Sequence, residues 1–310
     1  MSELHAPREI LGETLAQAAE KDPKLVVLDA DLGRSTRLTP FEERYPERYL
    51  QMGVAEQNAV GVASGLIYAG FHPVFVTFTM FAIGLPWTQL RQTAYASLPI
   101  KIIATHPGFD IGPDGGTHQM LADLALSRVI PGLVVLSPCD TPETVAAISA
   151  ALESERTTYV RVGRQPVPDL HDQVEVFPIG EAEVLHDGGE EVDVLLVADG
   201  SMAWTALQSA LRLEKAGIGA TVVNVRTIKP LDKKTLVELS GKAEVTVTIE
   251  NHSILGGMGG AVAEVLGEQG GAVIRLGAPD VFGETGTTDE LRALYHLDVE
   301  GVLQSIKDAL

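Results

Sequence analysis

Short apolar runs rich in valine and isoleucine alternate along this chain with longer amphipathic stretches, and that rhythm leaves few folds open. Runs of four to seven such residues suit strands buried on both faces, and the stretches between them are long enough to cross back over a sheet. The pattern predicts parallel strands joined by crossover helices. Across residues 1–165 it predicts strands at 25–28, 73–77, 100–105, 133–136 and 158–162, and helices at 8–21, 56–69, 119–127 and 142–153. The segment 165–176 interrupts the alternation with two prolines, His171 and three acids. A second alternation follows, with strands at 192–197, 220–225, 244–250 and 272–276 and helices at 202–216, 233–239 and 260–266. The reading is an α/β protein with two doubly wound domains, 1–165 and 178–310, joined by a linker at 166–177.

Charge and cysteine usage narrow the partners. Lys plus Arg is 23 against 42 for Asp plus Glu, a net charge of -19 that disfavours nucleic-acid phosphates and anionic membrane surfaces. The single cysteine, Cys139, forms no intrachain disulfide and no thiolate metal cluster, which suits a reducing, cytoplasmic setting. No apolar run approaches the length of a membrane span, and no basic stretch precedes an apolar one at the amino terminus, so neither secretion nor membrane insertion is expected.

No Walker phosphate loop, HExxH or paired CxxC occurs. The glycines Gly256, Gly257, Gly259 and Gly260 raise a dinucleotide site, but their spacing misses the GxGxxG pattern and close strand-helix packing explains them better. Residues 106–119, HPGFDIGPDGGTHQ, follow an apolar strand, where open α/β sheets place ligands. This stretch holds two histidines and two aspartates within reach of one another; the alternative is a solvated loop whose Thr117 or Asp114 caps the next helix. Glu56 is either an ordinary acid at a helix start or a carboxyl at a buried helix end, where burial would raise its proton affinity. Phe78 and Phe81 are core residues or a stacking platform for a flat heteroaromatic ligand.

Taken together and in order, these segments resemble the carboxyl-terminal half of transketolase. The resemblance rests on ADL at 30–32 with Ser35, GVAEQN at 53–58, TFTMF at 77–81, DGGTHQ at 114–119, Arg164 and VFGETG at 281–286. It implies a pyrimidine-binding domain followed by the family's carboxyl-terminal domain, in one subunit of a split enzyme. The GDG motif and asparagine pair, through which the family holds magnesium and the diphosphate of thiamine diphosphate, are missing. The resemblance therefore implies a partner chain carrying the amino-terminal half, Mg2+ and the diphosphate site, in a complex of two copies of each chain, with sugar phosphates as substrates.

By the same resemblance Glu56 and His118 are catalytic, Glu56 by hydrogen-bonding a ring nitrogen of the cofactor's aminopyrimidine. Phe81 would stack on that ring, Phe78 form a second wall, and Leu32 hold the cofactor bent beside Asp31. Asp114 would read a sugar hydroxyl, and Arg8, Ser35, His106 and Arg164 would surround the sugar phosphate. Arginine suits that task, because a chain this acidic needs local cationic donors to attract an anion. No metal ligand is assigned to this chain. The sequence departs from the family at three positions: Gly84 stands where a tyrosine is common, and Pro107 and Gly108 follow His106 where more polar residues are usual. His252 and Glu250 read as structural. The rival readings are the beta subunit of a 2-oxoacid dehydrogenase decarboxylase, the carboxyl-terminal piece of a deoxyxylulose phosphate synthase, and a noncatalytic scaffold.

Overall fold

A computed structural model describes residues 4–189 and 192–310. Its strands are β1 (Leu4–His5), β2 (Leu25–Asp29), β3 (Tyr49–Gln51), β4 (His72–Phe78), β5 (Lys101–Thr105), β6 (Val134–Leu136), β7 (Thr158–Val162), β8 (Val167–Pro168), β9 (Glu183–His186), β10 (Val192–Ala198), β11 (Ala220–Asn224), β12 (Thr227–Lys229), β13 (Ala243–Ser253) and β14 (Val273–Ala278). A seven-stranded sheet runs β12-β6-β7-β5-β4-β2-β3, and a five-stranded sheet runs β14-β13-β10-β11-β9. Every pairing among β2 to β7 is parallel. Residues of β2, β5 and β7 are buried along their whole length; β2 accordingly reads as a continuous apolar run, while β5 and β7 also bury Lys101 and Arg161.

The helices are α1 (Leu11–Lys21), α2 (Thr39–Arg44), α3 (Glu56–Tyr68), α4 (Trp87–Tyr95), α5 (Asp123–Arg128), α6 (Thr141–Glu153), α7 (Met202–Lys215), α8 (Lys233–Ser240), α9 (Met258–Gly267), α10 (Thr288–Leu294) and α11 (Val299–Lys307). Local chemistry starts several of them. Asp140 caps α6 by accepting from the Glu143 amide, and Thr287 and Glu290 form a reciprocal capping box on α10. α3 buries Glu56, Ala59, Val60 and Ala63 and leaves its two glycines exposed.

Three expectations shift. The first helix begins at Leu11, because Pro7 opens a tighter 3₁₀ turn, Pro7–Ile10. The helix placed at 119–127 begins at Asp123, since Met120 bridges back to Gly108 in extended form. And the sheets do not divide between the two halves of the chain: β12 pairs antiparallel with β6, carrying a strand from the second half onto the edge of the first sheet. A single apolar cluster accordingly joins Leu133 and Val135 to Leu195, Val197, Val223 and Met258. Among the described residues no helix is long and apolar enough to cross a membrane.

The connection near residue 170 is pinned at both ends. β8 pairs with β1, and the His171 ring lies 2.6 Å from Asp140 Oδ2 and 3.1 Å from Glu183 Oε2. Hydrogen bonds to Asp140 and then Glu183 push the imidazole up to about 10. A folded-state value above the unfolded one contributes stability that is complete below about 6.5 and lost as pH climbs through about 10. Urea midpoints of the native protein are therefore expected to fall more steeply between pH 7 and pH 10 than those of His171→Gln. Parallel slopes for the two proteins would show that this clamp carries no charge.

Candidate active site

In a parallel sheet the carboxyl ends of the strands share one edge, and the loops leaving that edge form the ligand crevice of open α/β folds. Asp31, Leu32 and Ser35 follow β2, Glu56 follows β3, Phe81 follows β4 and its last residue Phe78, His106 to His118 follow β5, and Arg164 follows β7. Arg8 reaches the same edge through its amide bond to the Gly163 carbonyl, 3.2 Å away. Each of these side chains therefore belongs to one rim.

Four rings form a chain across it. Phe78 meets His106 at 3.9 Å between centroids and Phe81 at 6.2 Å, and Phe81 meets the edge of His118 at 5.6 Å. Phe78, the last residue of β4, is buried, and Phe81 is half-buried on a π-helical turn, Met80–Gly84. Such turns are often associated with functional sites. A Cβ on Gly84 would find only Met120 Cε at 3.8 Å and Met80 Sδ at 3.9 Å, so glycine there leaves room beside Phe81 without being sterically required.

His106 adopts a left-handed backbone, φ 62°, uncommon for any residue with a Cβ. Burial, with Arg8 and Arg164 nearby, pushes its imidazole down to about 2, so the ring is neutral. Arg8 Nη1 donates to Nε2 at 3.0 Å, which leaves the proton on Nδ1, 2.7 Å from Thr105 Oγ1. The same Arg8 nitrogen donates to the Ser35 carbonyl at 3.2 Å, so Ser35 contributes backbone at this point while its residue stays exposed. Arg164 Nη1 donates to the carbonyls of Asp110 and Ile111, at 3.0 and 3.1 Å. The Nε atoms of Arg8 and Arg164 are both buried without a hydrogen-bond partner among the described residues. Two under-used guanidinium groups at one corner constitute donor capacity for an anion.

At the other side Glu56 is buried, 5 % exposed, in the first turn of α3. The turn after β2 is fixed by a buried carboxylate: Asp29 accepts from the Leu32 amide, the Tyr49 hydroxyl and the Gln51 amide group. Gln51 in turn accepts from the amides of Asp31 and Gly53. Asp31 is exposed with φ 64°, and Leu32 is half-buried, on a cavity of about 200 Å³ that Ser35, Tyr49 and Gln51 also line. The sequence reading missed Asp29, Tyr49 and Gln51; their only signal was polar residues ending two successive strands.

The 106–119 loop departs from its expected form. Its two aspartates are not neighbours in one polar cluster. Asp114 is exposed at the end of a 3₁₀ turn, whereas Asp110 is fully buried, accepting from Asn251 at 2.8 Å with Arg292 at 3.5 Å. Nothing in the sequence singled out Asn251, Arg292 or Gln119. His118 is half-buried, with Nδ1 2.9 Å from Thr117 Oγ1.

The glycine cluster opens α9, and the helix start is filled by the protein itself. Glu250 accepts from the amides of Met258 and Gly259, and a Cβ on Gly257 would lie 2.0 Å from its carboxylate. Burial pushes this carboxyl up to about 8. Close packing, not a nucleotide phosphate, accounts for those glycines. Among the described residues, the groups of three ligating side chains within reach of one ion are Cys139, Asp140 and His171, and Glu143, His171 and Glu183. Neither includes a residue of the rim.

Comparison with known proteins agrees with this layout. The family model "Transketolase, pyrimidine binding domain" matches residues 5–169, and "Transketolase, C-terminal domain" matches 180–302. A putative transketolase C-terminal section from Methanocaldococcus jannaschii is 40% identical over 308 residues, 98% of this chain and 96% of that protein. The 6-deoxy-6-sulfo-D-fructose transketolase subunit SqwH of a Clostridium species is 36% identical, over 98% of this chain and 94% of its own. A 1-deoxy-D-xylulose-5-phosphate synthase from Halothermothrix orenii is 32% identical over 96% of this chain but only 47% of that enzyme. Among solved structures, a split gene transketolase described as an inactive beta4 tetramer superposes with a TM-score of 0.87 at 39% identity, covering 98% of both chains. The chain belongs to the thiamine diphosphate-dependent transketolase family and corresponds to the second half of its full-length members.

Proposed function

We propose that this chain is the pyrimidine-holding subunit of a split transketolase, transferring a two-carbon ketol unit from a ketose phosphate to an aldose and active only with a partner chain. The observation that supports this most directly is the cationic corner of Arg8, His106 and Arg164 set against the Phe78, Phe81 and His118 rings at one rim. An aromatic wall, an apolar Leu32 and one buried carboxyl at Glu56 fit a flat ring that carries a basic nitrogen. Thiamine diphosphate, when bound, supplies the electron sink for breaking the carbon-carbon bond beside a carbonyl. Glu56 holds a proton at its carboxyl facing the ring nitrogen, Phe81 and Phe78 orient the ring, and Asp31 and Leu32 shape the turn beside it. His118 moves a proton at the donor's hydroxyl, Asp114 reads a sugar hydroxyl, and neutral His106 orients Arg8.

The partner carries Mg2+ and the diphosphate site in an assembly of two copies of each chain, in the cytoplasm. On this reading residues 1–165 are the pyrimidine domain, 166–177 the linker and 178–310 the carboxyl-terminal domain. A sulfonate offers Arg8 and Arg164 the same three tetrahedral acceptor oxygens as a phosphate, with one negative charge instead of nearly two, so donors with either terminus belong in a substrate screen.

Tagged chain captured from its native extract is expected to bring down, in equal amount, a chain bearing GDG and an asparagine pair. That complex should transfer ketol units while each chain alone is silent. Release of carbon dioxide from pyruvate by the complex would point to a deoxyxylulose phosphate synthase, the reading favoured by the 32% relative. Recovery of the chain by itself, with no activity gained from any partner, would remove the proposal.

A further inference from the structure

The loop between His106 and His118 owes its shape to the second half of the chain. Phe109 is buried in the core beneath the second sheet, stacked on Tyr295 at 4.6 Å and 8°. Gln119 donates to the Glu284 carbonyl at 2.8 Å, and Gly283 comes so close that a Cβ there would strike the Gln119 amide. At the centre is Asn251, 2 % exposed on β13. Its Oδ1 accepts from the Phe109 amide at 2.8 Å, and its Nδ2 donates to Asp110 Oδ1 at 2.8 Å and to the Pro107 carbonyl at 3.3 Å. Gly108, with φ 57°, fits over it because a Cβ would lie 2.2 Å from both the backbone and side-chain oxygens of Asn251.

We infer that Asn251 is a positioning residue: it moulds the 107–119 loop, and through it the placement of His118 and Arg164. The inference rests on the split-transketolase reading for its catalytic consequence but not for the contacts themselves. Arg164 enters because its guanidinium is anchored on the carbonyls of Asp110, which Asn251 holds, and of the next residue, Ile111. Displacing the loop therefore moves two groups at once, one that contacts the reacting hydroxyls and one that holds the terminal anion. A displacement of about 1 Å at such groups can cost on the order of 100-fold in rate. The function assigned here to the carboxyl-terminal domain follows: it is the seat of a substrate loop that belongs, in sequence, to the first domain.

The test compares hydrogen exchange of the full chain with kinetics of the assembled complex. In Asn251→Ala, amides of 107–119 are expected to exchange at least ~10-fold faster while those of α11 keep their rates. In the complex, kcat should fall and KM for a phosphorylated donor should rise together. Asn251→Asp, which sets a carboxylate against Asp110, should loosen the loop as much. The double change Asp110→Asn with Asn251→Asp exchanges donor and acceptor across the same 2.8 Å contact and should restore most of the protection. The swapped pair conserves side-chain size, so it carries the test if the alanine variant does not fold. Unchanged exchange of 107–119 in Asn251→Asp, or a double variant no better protected than the single, would overturn the inference. If the wild-type complex shows no ketol transfer while exchange behaves as expected, the functional reading falls and the seating of the loop by Asn251 stands.

Discussion

Glu56→Gln is expected to lower turnover of the assembled enzyme by roughly 10²- to 10⁴-fold, the range over which a positioned proton donor or acceptor contributes to catalysis. Glutamine preserves the volume of the side chain and its place in the first turn of α3, so the substitution isolates the loss of the acid. The structural cost is small by comparison. Glu56 is the acid in that first turn, and its interaction with the helix dipole is worth about 0.3–1 kcal/mol. A loss of that size leaves a folded subunit, so circular dichroism and size-exclusion elution should match the native protein while a coupled assay of ketol transfer reads near zero. Near-normal turnover of the variant complex would sink the role given to Glu56.

The strands were legible where one rule decided them. β2 is short, apolar and buried on both faces, and its sequence says so without help from the rest of the chain. β12 was not legible, because three residues carry no period and their pairing is decided by β6, some ninety positions earlier. α10 and α11 lie beyond the last predicted strand, 272–276, and are absent from the predicted helices although a capping box opens the first of them.

The rim followed a similar division. The order of parallel strands places Asp31, Glu56, Phe81, His106 and Arg164 at one edge, and that much follows from recognising where each strand ends. Their roles came from a resemblance, since composition left Glu56 and the 106–119 loop undecided. Asp110 shows why. Its partners Asn251 and Arg292 lie 141 and 182 positions away in sequence, so its burial is a property of how the two halves meet and has no local signature. Gly108 is the exception that sequence offered and reading did not use: a glycine in the loop just past a strand end can mark a close approach of backbone.

Arg161→Ala is expected to destabilise the protein by about 3–5 kcal/mol, the usual cost of stripping one partner from a buried charge network. The guanidinium is 2 % exposed between two wholly buried carboxylates, Asp123 at 2.7 Å and Asp199 at 3.6 Å. It also donates to the Asn251 carbonyl at 2.7 Å, so one side chain joins β7 of the first sheet, the start of α5, the end of β10 and the strand that seats the 107–119 loop. Tyr159 and Ser137 each donate one hydrogen bond to these carboxylates, but neither brings a positive charge. Without Arg161 the two acids would stay ionised at neutral pH only at the cost of mutual repulsion in a medium that screens poorly. Burial already pushes Asp199 up, and Arg161 is the main influence opposing that shift. Removing it should drive Asp199 toward its protonated form, so the deficit of the variant should be largest near pH 7 and shrink as the solution is acidified. The exposed pair Arg44 and Glu13 supplies the control: breaking it should barely move the urea midpoint and show no such pH dependence near neutrality. Urea midpoints of both variants at pH 7 and pH 5 make the comparison. Equal, small losses for the two would mean that the Arg161 network does not hold the halves of the molecule together.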